Sequence, residues 1–230
     1  MMSAMDIVLI PGALATAKFW HHQENALQKV AQVYHADQYY GRTISEIAAN
    51  LVPKLPLKFT LVGFSLGGYI ALELMRYLPE RIDKLILINS GAKALSEKGA
   101  IERERSMDLI NRGKFDFLIN LIFKNSIYDQ EQCPLLLPFL QAMAHETGAE
   151  RYVEQLTAMV NKPDHSALLK TIECPTLLLT SKEDKVMPPE RSEHMANHLK
   201  HCELMYIENC GHVAPLEQPD RINRAILNWL

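Results

Sequence analysis

Short apolar runs alternate along this chain with longer stretches in which apolar residues recur at helical spacing. The runs at residues 7–10, 32–35, 59–62, 84–88, 176–180 and 204–207 are rich in Val, Ile, Leu and Thr and read as buried strands. The stretches at 19–30, 44–55, 67–77, 167–172, 189–199 and 215–230 read as helices. Strands that are almost continuously apolar and alternate with helices predict an α/β fold, a mostly parallel sheet of about six strands covered on both faces. In the stretch 67–77 and just beyond it, Ile70, Leu74 and Leu78 form a stripe that should face the sheet, and Pro79 should end the helix.

The alternation breaks after the strand ending near Asn89. About 75 residues pass before the next strand, far more than a crossover between parallel strands requires. The excess predicts a helical cap at 91–166, inserted into a core made of 1–90 and 167–230. Within it, 101–112 is highly charged, 115–123 is dense in Phe, Leu and Ile, and 134–143 and 150–160 are amphipathic. No repeat or linker separates the parts, so cap and core are expected to share one continuous fold.

Composition narrows the function classes. A chain of 230 residues with 48% hydrophobic and 22% charged residues is globular and long enough to bury a core without metal or disulfide support. Lys+Arg 24 against Asp+Glu 27 gives a net charge of −3, which argues against a general grip on nucleic acid or anionic lipid. Residues 1–6 lack a basic side chain, and the apolar run 7–10 stops at Pro11-Gly12. Neither a signal peptide nor a spanning helix is expected there, which points to a cytoplasmic chain. Cys133, Cys174, Cys202 and Cys210 show no C-x-x-C spacing and are expected to be reduced thiols.

The segment Phe59-Thr60-Leu61-Val62-Gly63-Phe64-Ser65-Leu66-Gly67-Gly68 is an apolar strand that runs through G-x-S-x-G directly into a helix. At this chain's Gly and Ser frequencies, about 0.02 such patterns are expected by chance. A serine at a sharp strand-to-helix turn is lifted above the sheet, and the helix N-terminus beneath it offers N–H groups to an anion. A serine hydroxyl is a weak nucleophile, so it needs a base and an orienting acid. Asp184 follows the strand at 176–180 and His212 follows the one at 204–207, both at the sheet edge where open α/β folds place function. The order Ser65, Asp184, His212 is the one this architecture uses.

At these residues the chain resembles the α/β-hydrolase superfamily, in particular its small capped, cofactor-free serine esterases. The resemblance is carried by Val8-Leu9-Ile10-Pro11-Gly12 with Trp20, the elbow Gly63-Phe64-Ser65-Leu66-Gly67-Gly68, the Asp184 loop with Pro188, and Gly211-His212 with Glu217-x-Pro219. It implies an α/β-hydrolase fold, with Ser65 as nucleophile, His212 as general base and Asp184 holding the imidazole. It also implies an oxyanion hole from the backbone N–H groups of Ala13 and Leu66, no cofactor, and a small acyl compound as the partner. The first loop reads Pro11-Gly12 where the family commonly has His-Gly, which leaves the choice between Ala13 and Leu14 open. The implied activity is a carboxylesterase-like serine hydrolase that cleaves a small ester, thioester or lactone through an acyl-enzyme. Alternatives are use of the same triad for C–C bond hydrolysis, acyl transfer or proton abstraction with elimination, or a low-turnover small-molecule sensor.

Simpler roles compete at several positions. Ser65 could merely cap its helix, Glu183 or Asp37 could replace Asp184, and His212 could be a packed core histidine. His194 and His198 stand four apart, but Met195 breaks H-E-x-x-H and no metal site is expected. Leu14, His21, Phe115 and Phe123 are candidate substrate contacts. Arg103, Arg105 and Arg112 could grip a carboxylate, but they alternate with Glu102, Glu104 and Asp108, so pairing along one helix is the default. Ser65→Ala should abolish ester turnover while leaving stability within about 1 kcal/mol. Parallel assays and denaturant melts check this; full activity, or an unfolded variant, removes the role assigned to Ser65.

Overall fold

The computed structural model describes residues 5–37 and 40–230. Residues 1–4, part of the segment where no leader is expected, lie outside the described residues. Six strands, β1 (Met5–Ile10), β2 (Ala31–His35), β3 (Phe59–Phe64), β4 (Ile82–Ile88), β5 (Thr176–Ser181) and β6 (Cys202–Ile207), form one sheet in the order β2-β1-β3-β4-β5-β6. Every neighbouring pair is parallel. β3 and β5 are buried throughout, whereas the edge strands β2 and β6 are only partly covered. The apolar runs are longest in the inner strands, where both faces are covered, and the edge strands carry more polar positions.

The helices are α1 (His21–Leu27), α2 (Ile44–Leu51), α3 (Leu66–Tyr77), α4 (Glu97–Asn111), α5 (Phe115–Ser126), α6 (Cys133–Thr147), α7 (Ala149–Val160), α8 (Ser166–Leu169), α9 (Glu190–Ala196), α10 (Ala214–Glu217) and α11 (Pro219–Trp229). The chain order therefore places four long helices between β4 and β5. The predicted helix at 215–230 is two: the backbone turns at Gln218, with φ −132° and ψ 53°, and α11 begins at Pro219. Proline lacks an N–H and keeps the residue before it out of helical geometry, so the break follows from the sequence. α3 is also more enclosed than a single stripe implies, since every residue from Leu66 to Met75 is buried.

Alternation along the strands divides the core between two faces. Leu9, Val62, Ile86, Leu177 and Leu179 pack with Phe19, Trp20, α10 and α11, and with Leu118, Ile119, Phe123, Leu140 and Leu156 of α5–α7. Val8, Leu61, Leu85, Leu87 and Leu178 pack on the opposite face with α2 and α3. Helices α5–α7 are thus continuous with the apolar layer on one face of the sheet. Among the described residues, no helix is long and apolar enough to cross a membrane, and the four cysteines are unpaired.

One buried carboxylate ties three segments together. Glu73 of α3 accepts from Ser45 Oγ of α2 at 2.6 Å, from Arg76 Nη2 at 2.7 Å and from His165 Nε2 at 2.7 Å. Burial pushes its pKa up, but the hydrogen bonds from Arg76, His165 and Ser45, with the charge of Arg76, outweigh that and bring it to about 2. A carboxyl held below its ordinary value stabilises the fold above pH 4.5, and that share is lost as the pH falls from 4.5 toward 2. The share is about 3 kcal/mol. Glu73→Gln should therefore unfold more easily in urea at pH 7 and show a shallower loss between pH 5 and pH 2.5. Parallel pH–stability curves for the two proteins would contradict the assignment.

Candidate active site

The sheet brings three candidate residues together from the ends of three strands. β3 ends at Phe64, and the chain enters α3 through Ser65 at φ 52° and ψ −116°. Such a backbone costs on the order of 1–3 kcal/mol in a residue with a Cβ. It is held by Ser65 N–H donating to Ile88 O at 3.0 Å and by Ser90 Oγ donating to Ser65 O at 2.8 Å. The flanking glycines let the elbow close: a Cβ on Gly63 would stand 2.6 Å from Gly67 O, and one on Gly67 would stand 2.3 Å from Ile10 O. Ser65 makes no side-chain cap to α3. Its Oγ instead stands 2.9 Å from His212 Nε2.

His212 Nδ1 lies 2.7 Å from Asp184 Oδ2, and the other oxygen of Asp184 accepts the N–H groups of Val186 and Met187 at 2.8 and 2.9 Å. Asp184 is 3% and His212 7% exposed. A carboxylate fixed by two amides on one oxygen presents the other to the ring, so one imidazole nitrogen is a donor and the second is left to face the serine. The competing acids are used elsewhere: Glu183 accepts from Cys210 N–H at 2.9 Å and Asp37 from Ala17 N–H at 2.9 Å. The array can therefore carry a proton from a hydroxyl to an imidazole.

Two further side chains hold the loops. Asn89, at φ 44° just past β4, donates through Nδ2 to Ser181 Oγ at 2.9 Å and His212 O at 2.7 Å, and accepts from Ser181 N–H at 2.8 Å. It joins the segment before Asp184 to the histidine loop. Glu217 accepts the N–H groups of Gly211, Tyr128 and Asp129 at 3.0, 2.8 and 3.1 Å. Burial raises its pKa against the pull of those amides. The sequence marked Glu217 only as part of a motif; nothing marked Asn89, whose sole signal is its place at a strand end beside two others.

In the first loop Leu14 stands at φ 61° and its N–H donates to Gln155 Oε1 of α7 at 3.0 Å. That amide is engaged, whereas Leu66 opens α3, where an N–H has no carbonyl one turn behind it. Ala13 and Leu66 both line the cavity beside Ser65.

A cavity of about 340 Å³ opens on Ser65 and His212. Leu14 and Phe123 line it, with Phe19, Phe64, Leu140 and Leu156. Two candidate contacts are corrected. His21 is not in the lining: Phe19 and Trp20 turn inward, and His21 follows them with Nδ1 3.0 Å from Lys18 O and its ring 3.8 Å from that of His22. Phe115 packs on His145 and on Tyr152, and it is Tyr152 that lines the cavity. The default for the arginines fits Arg112, which pairs with Asp108 at 3.0 Å, but Arg103 reaches the cavity wall. His194 bonds Ser166 Oγ at 2.9 Å, and no group of three metal-ligating side chains converges among the described residues.

An elbow serine between a parallel strand and a helix, facing a histidine and an aspartate from later strand ends, places the molecule in the class of α/β hydrolases. The model of the alpha/beta hydrolase family matches residues 7–225, and the chain belongs to that family. A protein of Serratia proteamaculans named carbamate hydrolase RutD is 28% identical over 99% of this chain and 91% of its own length. A 2-hydroxy-6-oxononadienedioate/2-hydroxy-6-oxononatrienedioate hydrolase of Pseudomonas putida is 26% identical over 81% of this chain and 68% of its own. A solved thermophilic esterase from Thermogutta terrifontis superposes with a TM-score of 0.88 at 25% identity, covering 98% of this chain and 89% of that one.

Asn89→Ala should lower stability by about 1–3 kcal/mol, because Ser181 and the histidine loop lose a buried partner. It should also reduce kcat/KM for an activated ester by about tenfold to a hundredfold through misplaced loops. Urea melts and steady-state kinetics measure both; unchanged kinetics in a destabilised protein would separate Asn89 from the site.

Proposed function

We propose that the chain is a serine hydrolase acting on a small ester, thioester or lactone, with Ser65 as nucleophile, His212 as base and Asp184 as the orienting acid. The observation that carries the reading is the pair of hydrogen bonds from Ser65 through His212 to Asp184, at 2.9 and 2.7 Å, at the wall of a partly apolar cavity. As Oγ bonds to the acyl carbon, its proton passes to His212 Nε2, and the carbonyl oxygen gains charge between the amides of Leu66 and Ala13. Each such donor lowers the barrier by about 2.7–4 kcal/mol. The proton then goes to the leaving group, and water attacks the acyl-enzyme with His212 again as base. Residues 91–166 act as a cap that screens this chemistry from bulk water, over a core formed by 1–90 and 167–230. The four unpaired cysteines support a cytosolic setting.

The similarity to a carbamate hydrolase supports attack at an acyl carbon, and that to a 2-hydroxy-6-oxononadienedioate hydrolase favours a second reading, cleavage of a C–C bond beside a carbonyl. Rapid-quench mass spectrometry with a 4-nitrophenyl ester decides the covalent step. An acyl adduct on Ser65, with a nitrophenol burst equal to the enzyme concentration, is the expected result. Steady turnover without any adduct overturns the acyl-enzyme and leaves proton transfer.

A further inference from the structure

The proposed hydrolytic chemistry leaves one part of the cavity unused. Its lining carries four basic side chains, Arg103, Lys162, Lys185 and Arg191, against one acidic side chain, Glu102. This is the reverse of the chain as a whole, whose net charge is −3. The cations come from separate elements: Arg103 from α4, Lys162 from the segment after α7, and Arg191 from α9.

They meet at Tyr69. The Lys162 Nζ lies 3.7 Å from the centre of the Tyr69 ring, and Lys162 is only 7% exposed, with its ammonium also bonded to Lys93 O. The Arg191 Cβ and the Tyr69 hydroxyl flank Gly91. The Tyr69 hydroxyl is buried, with the Arg191 guanidinium as its hydrogen-bonding neighbour. No carboxylate pairs with Lys162 or Arg191 within 4.0 Å among them, and Arg103 has only Glu102, at 3.3 Å. Burial first, then the charges of Arg191 and Arg103, lower the pKa of Lys162 to about 7, against a weaker pull from Asp164. Confining cations without an anion is costly, and a bound anion relieves it.

We propose that this cluster is a carboxylate-binding subsite, so that the substrate of the Ser65 site is an acyl compound bearing a free carboxylate close to its scissile carbonyl. Tyr69 lies one helical turn after Ser65 on α3, about 6 Å along the axis, so only a few bonds separate the two groups of the substrate. Two guanidinium groups offer paired N–H donors to a planar carboxylate, and Lys162 and the Tyr69 hydroxyl complete the set. The inference rests on the hydrolase reading for its chemistry, but the binding it asserts does not.

The test compares 4-nitrophenyl hemisuccinate and hemiglutarate with their neutral methyl diesters. The charged esters should have kcat/KM higher by about tenfold or more, and Arg191→Gln or Arg103→Gln should collapse that ratio. Glutarate should compete with the charged esters better than inorganic phosphate does; the reverse order assigns the cluster to a phosphate and overturns the carboxylate. Equal rates for charged and neutral esters overturn the subsite and leave the hydrolase reading intact.

Calorimetry of glutarate with Ser65→Ala separates binding from turnover. Arginine-dependent binding without any ester turnover by the wild type keeps the subsite and removes the hydrolase. At pH 8 that binding should draw a proton onto Lys162, seen as a buffer-dependent heat that Lys162→Met abolishes. The groups facing Lys162 are Arg103, Arg191, Tyr69 and Asp164. Heat independent of buffer removes Lys162 from the subsite. If Arg191→Gln does not fold, Arg103→Gln, on a partly exposed stretch of α4, decides alone.

Discussion

The closeness of α3 to β1 is the constraint on which the rest depends. With only 2.3 Å between Ile10 O and the place where a Gly67 Cβ would stand, the helix starts against the neighbouring strand and the chain has no room for a relaxed turn. Ser65 takes up the difference in its backbone, and that fixes the direction of its hydroxyl. The remaining features answer to that direction: the histidine must arrive from past β6, the aspartate from past β5, and Asn89 from past β4 to keep the two loops in step. A sheet with β1 between β2 and β3 brings the first loop and the elbow together at the point where the chain's winding reverses.

The strands were readable because a parallel sheet covered on both faces demands unbroken apolar runs, and each predicted run lies within an observed strand. The elbow was readable for a similar reason, since its steric conditions admit few residue types. Helix ends were less so. The break at Gln218 was signalled by Pro219, while the enclosure of α3 was not, because periodicity on one helix does not report what a second helix covers.

The structure brings together Ser65, His212 and Asp184, which a motif marked in the sequence, and beside them residues that no motif marked. Asn89, Gln155 and Arg191 sit in no motif; each matters because of what the fold brings against it. His21 and Phe115 erred in the opposite way. Both stand near informative segments in sequence, but the cavity is lined by Phe19 and not His21, and by Tyr152, on which Phe115 packs. Arg103 shows the limit of charge alternation as a guide. Both arginines have an acidic partner on the same helix, Arg112 in Asp108 and Arg103 in Glu102, yet only Arg103 lines the cavity, and the sequence did not distinguish them.

The hydrogen bond from Leu14 N–H to Gln155 makes a side chain of α7 a structural member of the first loop. Leu14 holds an unfavourable backbone, and this contact is one of the restraints that keep it there. Any outward swing of α7 large enough to widen the mouth must first let go of that amide, loosening the turn that presents Ala13. Access and readiness are therefore opposed: a guest small enough to slip in beneath α7 meets a finished pocket, and a bulkier one unmakes the pocket by entering.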